Sequence, residues 1–163
     1  MKFHKLFIIL VFFYSKGFSN EIQYFLSPYF YQNPHSYSIN GVQYYKFNIG
    51  ELMDAAINKS KKFHKCDNQI NSEVILNLFP ITFYNPAMEI LYSELNVRIY
   101  DNGGENKKNF LVKYQELIKL NQNGDKQITN HYIELINLMY ERLQDFNLKK
   151  TPLINGSICK VFN

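Results

Sequence analysis

Hydrophobic and polar positions follow two rhythms along this chain, and the rhythms divide it into elements. Ile49, Leu52, Met53, Ala56, Ile57, Ser60 and Phe63 recur at the spacing of one helical face, with Asn58, Lys59, Lys61 and Lys62 elsewhere. That stripe predicts a helix over 49–63. The same spacing returns at Tyr132, Leu135, Ile136, Met139, Tyr140, Leu143 and Phe146. It predicts a second helix, with Thr129 or Asn130 as N-cap, after a polar loop at 121–126. Between the two the period falls to two, as in strands with one buried face. Val74, Leu76 and Leu78 open the first strand, and Pro80 implies an edge position or a bulge near its end. In the second, Leu91, Leu95, Val97 and Ile99 share one face and Tyr92, Glu94, Asn96 and Arg98 the other. Asp101-Asn102-Gly103-Gly104 supplies a tight reversal, after which Phe110, Val112 and Tyr114 continue the inward pattern.

Ile22–Leu26 reads as a further short strand, closed by Ser27-Pro28. Two one-sided helices must cover the apolar face of a one-sided sheet. The predicted fold class is therefore α+β, a two-layer sandwich with a mainly antiparallel sheet and two amphipathic helices packed on one face. Residues 20–163 form one domain by length, and the tail at 153–162 is a candidate final edge strand.

The N-terminal 19 residues have a different character. Lys2, His4 and Lys5 precede an unbroken apolar run, Leu6–Tyr14, and Gly17-Phe18-Ser19 places small residues where a signal peptidase reads. This is the pattern of a cleavable secretory signal over 1–19, with the mature chain starting near Asn20. The run is about half the roughly 20 residues a membrane-spanning helix needs. The expected location is periplasmic or secreted, soluble after cleavage and peripheral to a membrane at most.

Export bears on the cysteines. Cys66 and Cys159 are the only two in the chain, and an even pair in an oxidising compartment is most simply a disulfide. Free thiols, or a metal or nucleophile site with His64 and His131, are the rival readings; the histidines have no ligand spacing that recommends them.

Charge narrows the partners. The chain carries 18 bases and 14 acids, but Lys2, Lys5 and Lys16 belong to the expected signal, leaving a nearly neutral remainder with no electrostatic case for nucleic acid. Lys59, Lys61, Lys62 and Lys65 read as a solvated helix end that complements the helix dipole. Asn58-Lys59-Ser60 and Asn155-Gly156-Ser157 match the glycosylation sequon, which matters only in a eukaryotic secretory pathway.

Residues 24–47 are crowded with rings, and in so turn-rich a segment they either cap the core or meet a partner. Tyr29, Phe30, Tyr31, Tyr37 and Tyr44 are the candidate partner-binding residues. No phosphate loop, nucleophile elbow, zinc motif or paired-cysteine metal signature occurs, so no catalytic, cofactor-binding or metal-ligating residue is assigned. Two other classes of function stay open. One is a small-molecule or lipid pocket between helices and sheet, lined by Met53, Met88 and Met139. The other is a hydrolase built on His131 or His64 with acids such as Glu89, Glu94, Asp101 and Glu105.

The order of elements resembles a known family. Ile22-Gln23-Tyr24-Phe25-Leu26 is similar to its opening strand, 50–63 to its first helix, 74–114 to its long hairpin and following strand, with Leu95-x-Val97-x-Ile99-x-Asp101-x-Gly103, and 131–146 to its closing helix. The family is the auxiliary lipoprotein component of ABC-type transport systems, small α/β sandwich proteins of the cell envelope. Its members carry a lipid-modified cysteine after the signal, where Ser19 and Asn20 stand here. The resemblance implies a noncatalytic periplasmic accessory protein that docks on envelope transport or assembly proteins, with lipid as a further candidate partner. A related architecture occurs in lipoproteins that activate cell-wall synthases or help to build secretion channels.

Overall fold

The computed structural model describes residues 22–39, 42–66, 74–101, 103–120, 123–146 and 159. The expected signal at 1–19, the second sequon and, apart from Cys159, the expected final strand lie outside these residues. In chain order the elements are β1 (Ile22–Leu26), α1 (Tyr29–Gln32), β2 (His35–Ile39), β3 (Val42–Phe47), α2 (Ile49–Ser60), β4 (His64–Lys65), β5 (Val74–Asn85), β6 (Ile90–Asp101), β7 (Asn106–Leu117) and α3 (Gly124–Gln144). The main sheet has the order β4-β1-β5-β6-β7, and β2 and β3 form a separate antiparallel ribbon.

The predicted α+β sandwich is the observed one. Strands β5, β6 and β7 form an antiparallel meander, and β1 inserts parallel to both β4 and β5. Leu76, Leu78, Leu95, Val97 and Ile99 on one sheet face meet Met53, Ile57, Tyr132, Leu135, Ile136 and Met139 of α2 and α3 in a single core. Burying each such side chain stabilises the fold by roughly 1.5–3 kcal/mol.

Local chemistry sets the ends of the elements. Asn48 caps α2 by accepting from the Glu51 N–H at 3.1 Å, while its own amide donates to the Tyr31 carbonyl at 2.6 Å. One side chain thus starts α2 and secures the end of α1. The helix stops at Ser60, three residues before the stripe runs out, because Lys61 turns left-handed and its N–H closes on the Ile57 carbonyl. Phe63 is buried all the same. At the sheet reversal Asp101 Oδ1 accepts from the N–H groups of Gly103 and Glu105, both at 3.0 Å. Gly104 sits at φ 77°, where glycine is favoured.

The start of α3 differs from expectation, and Pro80 takes the edge position of its two expected alternatives. Helix α3 begins at Gly124, with Asn123 at the N-cap and making no side-chain cap bond. The helix is earlier than Thr129 or Asn130 because Ile128 belongs to its buried stripe, and Thr129 instead donates to the Asp125 carbonyl inside the helix at 2.7 Å. Gly124 also leaves room for the Tyr45 ring, whose hydroxyl donates to Asp125. Pro80, for its part, sits in mid-strand with no register shift in the β5–β6 pairing. The proline is tolerated because β1 accompanies β5 only as far as Leu78, so the side of β5 that β1 had covered is open at position 80. Just beyond, the Tyr37 hydroxyl of the ribbon donates to the Thr82 carbonyl at 3.2 Å.

Candidate functional site

The aromatic segment folds largely onto the core. Phe30, Tyr31 and Tyr37 are half-buried against it, while Tyr29 is 59% exposed and meets Phe30 edge-on. Tyr37 stacks on Phe47 and packs edge-on against Tyr84, both at 5.6 Å. Burial pushes its hydroxyl pKa up to about 12. The side chain of Tyr44 lies outside the described residues. Of the five rings singled out from sequence, Tyr29 is therefore the one the described structure leaves facing solvent.

Tyr31 belongs to a polar cluster that sequence spacing did not suggest. Asp54 on α2 accepts from the Tyr24 hydroxyl at 2.9 Å through Oδ1, and from the Tyr31 hydroxyl at 2.8 Å and the Lys65 ammonium at 2.7 Å through Oδ2. Lys65 also donates to the Tyr31 hydroxyl at 2.9 Å and lies 4.5 Å from its ring centroid. Four elements, β1, α1, α2 and β4, converge on this carboxylate. Burial and the Asp54 charge hold both tyrosines protonated far above the usual phenol range. Position 50 must be glycine for this arrangement, since a Cβ there would stand 2.7 Å from the Tyr31 ring.

Beside the cluster opens a cleft of about 350 Å³, walled by Phe25, Leu26, Pro28 and the disulfide and edged by Gln32 and Lys65. Cys66 and Cys159 form the disulfide expected from sequence, with Cα atoms 5.7 Å apart. Cys159 packs on Ile75 and Phe25, on the sheet face away from the helices.

A second polar network lies inside the sandwich. His131 Nε2 is 3.0 Å from Ser93 Oγ, which is 3.1 Å from Thr82 Oγ1, itself 2.8 Å from the Tyr132 hydroxyl. Glu116 Oε2 stands 3.4 Å from His131 Nδ1. Serine, histidine and carboxylate are the inventory of a hydrolase, but Ser93 is 2% and His131 0% exposed, so no substrate carbonyl can approach the hydroxyl. Burial lowers the imidazole pKa to about 4. The network ties α3 to the sheet. His64 is exposed on the edge strand β4. Glu89 and Glu94 pair with Lys119 and Lys113, and Asp101 and Glu105 share Lys107, so each acid faces a cation.

Met53 and Met139 are fully buried core residues, whereas Met88 is exposed in the turn joining β5 to β6. The three do not line a common pocket. The basic run is dispersed as well: Lys62 donates to Asn137 and lies over the Tyr140 ring, and Lys65 serves Asp54. Among the described residues no His, Cys, Asp and Glu groups are placed to hold a metal ion, and no helix is long and apolar enough to cross a membrane.

Among the described residues, most of the exposed large hydrophobic side chains are on the sheet itself. On the face away from the helices, Ile81 is 63% exposed with Phe83 also exposed on β5, and Leu117 is 76% exposed with Leu111 also exposed on β7. Pairing register sets Ile81, Glu94 and Lys113 in one row and Phe83, Tyr92 and Gln115 in the next. Glu94 and Lys113 are bonded at 2.5 Å, and the Arg98 guanidinium lies 4.7 Å over the Phe79 ring. Alternation alone missed this face because β5 was read as one-sided. The signal was present in the nearly continuous apolar run Val74–Tyr84, which is too apolar for a strand with one solvated side.

No family model matches the sequence, and among curated proteins none is significantly similar to it.

Proposed function

We propose that this protein is a noncatalytic, exported accessory component of a cell-envelope transport system, and that it docks on another protein through the helix-free face of its sheet. The observation that carries this reading is the exposed set Ile81, Phe83, Leu111 and Leu117 on the surface of the β5–β6–β7 meander. Ile81 and Phe83 on β5 and Leu111 and Leu117 on β7 lie on one face with the Glu94–Lys113 pair between them, and exposed apolar side chains grouped on one face favour an interaction surface. The charges around it favour a protein occupant. Lys113 and Lys119 are matched by Glu94 and Glu89, which leaves Arg98, over the Phe79 ring, as the cation on this face with no carboxylate partner among the described residues, fewer than an anionic bilayer or a nucleic acid would call for. The disulfide and the N-terminal signal pattern support export, and the resemblance in element order supports the envelope-transport context.

A photo-crosslinking residue placed at position 81, in the native envelope, tests the reading. The expected result is one stoichiometric adduct, identified by mass spectrometry as an envelope transport component and lost with Leu111→Asp. A label at the exposed helix position Lys126 should not form it. Adducts to a second copy of this chain, to lipid alone, or equally from position 126 would overturn the assignment.

A further inference from the structure

We infer that the cleft beside the disulfide is a binding site for a compact monocarboxylate, a short acyl or aryl chain with one carboxylate head. Its volume, about 350 Å³, falls at the lower end of the roughly 300–1,000 Å³ typical of ligand pockets and sets the tail at roughly ten non-hydrogen atoms. The walls are apolar: Phe25, Leu26, Pro28 and the Cys66–Cys159 sulfurs offer no charge to a buried tail. The polar side chains that line it are Tyr24, Tyr31, Gln32 and Lys65.

The head is specified by what these groups have left to give. An ammonium has three N–H donors, and Lys65 spends two, on Asp54 Oδ2 and on the Tyr31 hydroxyl. The third has no partner within the cluster, on a side chain that is 56% exposed. Asp54 would repel an incoming anion, but its two oxygens are covered by three donors from Tyr24, Tyr31 and Lys65, and its side chain is only 19% exposed. Both tyrosines stay protonated, so they add no negative charge. Gln32 also lines the cleft, and its side-chain amide has donors to offer a second oxygen of the head. Cation and amide donors above an apolar slot are complementary to a carboxylate on a hydrocarbon body, and poorly complementary to a phosphate, which would need more than one cation.

The cleft shares no residue with the exposed set Ile81, Phe83, Leu111 and Leu117 of the docking proposal, so the two are tested apart. Backbone amide NMR of the full chain, disulfide intact, titrated with sodium octanoate, tests it. The expected result is saturable movement of the Leu26, Gln32, Lys65 and Cys66 amides with low-millimolar affinity. Lys65→Met should weaken binding about tenfold or more, as loss of a charge-assisted bond implies. Because that variant also takes a partner from Asp54, Gln32→Trp provides a second test, closing the mouth from an exposed position without touching the cluster; it should abolish the shifts. Non-saturating movement, shifts spread over Ile81 and Leu111, or unchanged affinity in Gln32→Trp would overturn the site. Octan-1-ol binding as tightly as octanoate would overturn the carboxylate assignment.

Discussion

Acidification should destabilise this fold through His131. The imidazole is wholly buried, with Nε2 bonded to Ser93 and the Tyr114 ring centroid 4.7 Å away, and Nδ1 has no hydrogen-bond partner. Burial holds its pKa near 4 against an ordinary 6.5. Between those two values the unfolded chain binds the proton and the folded one refuses it, so stability is lost as pH falls through this window. Relative to pH 7, the two values imply a loss of about 2 kcal/mol by pH 5 and about 3 kcal/mol by pH 4. Glu116 opposes this, since its carboxylate 3.4 Å from Nδ1 attracts the proton, but at 43% exposure water screens much of that attraction. Urea midpoints measured from pH 7 to 5 give the dependence directly. His131→Gln should flatten it, whereas Glu116→Gln should leave the slope between pH 7 and 5 nearly unchanged, because with the folded pKa near 4 that slope is set by the unfolded imidazole. If the wild type and His131→Gln lose stability in parallel, other groups control the acid limb and the reasoning fails.

The Cys66→Ser/Cys159→Ser double variant should lower stability by about 4–5 kcal/mol, from the loop-closure entropy of a 93-residue separation; an unchanged denaturant midpoint would refute it. Gly50→Ala should cost about 1–3 kcal/mol by driving a methyl into the Tyr31 ring. The penalty should largely vanish in a Tyr31→Ala background, which a double-mutant cycle measures. Tyr29→Ser should change stability by no more than about 0.5 kcal/mol, whereas Tyr31→Ser should cost about 2 kcal/mol or more, because it strips a hydroxyl from Asp54 and a ring from the core. Thermal melts of the two variants side by side separate a solvent-facing ring from a structural one.

What could be read from the sequence was what is periodic and local. The stripes of α2 and α3 and the alternation of β6 carry their own burial pattern, so the layers and the inward faces follow from residues such as Leu95, Val97 and Leu135. The reversal at Asp101–Gly104 was equally legible, because its hydrogen bonds stay within five residues. Non-local features were hidden. Nothing near Ile22–Leu26 says that it lies parallel between β4 and β5, since that register depends on residues 64–78. The start of α3 was masked by the polar stretch 124–127. The candidate sites fared least well. Asp54 looks like a solvated helix acid until Tyr24, 30 positions away, and Tyr31, 23 positions away, are brought to its two oxygens. Ser93 and His131 meet across 38 positions of chain.

The disulfide also decides how this molecule comes apart. Residues 66–159 are closed into a covalent ring that contains β5, β6, β7 and α3, while β1 to β4 lie on the open N-terminal arm. A single protease cut inside the ring therefore releases no fragment, and both products stay joined until the bond is reduced. Traction from the N-terminus can unthread residues 22–65 as an ordinary single strand. Beyond Cys66 any motor that translocates the chain must either admit two strands of the ring side by side or wait for a reductant.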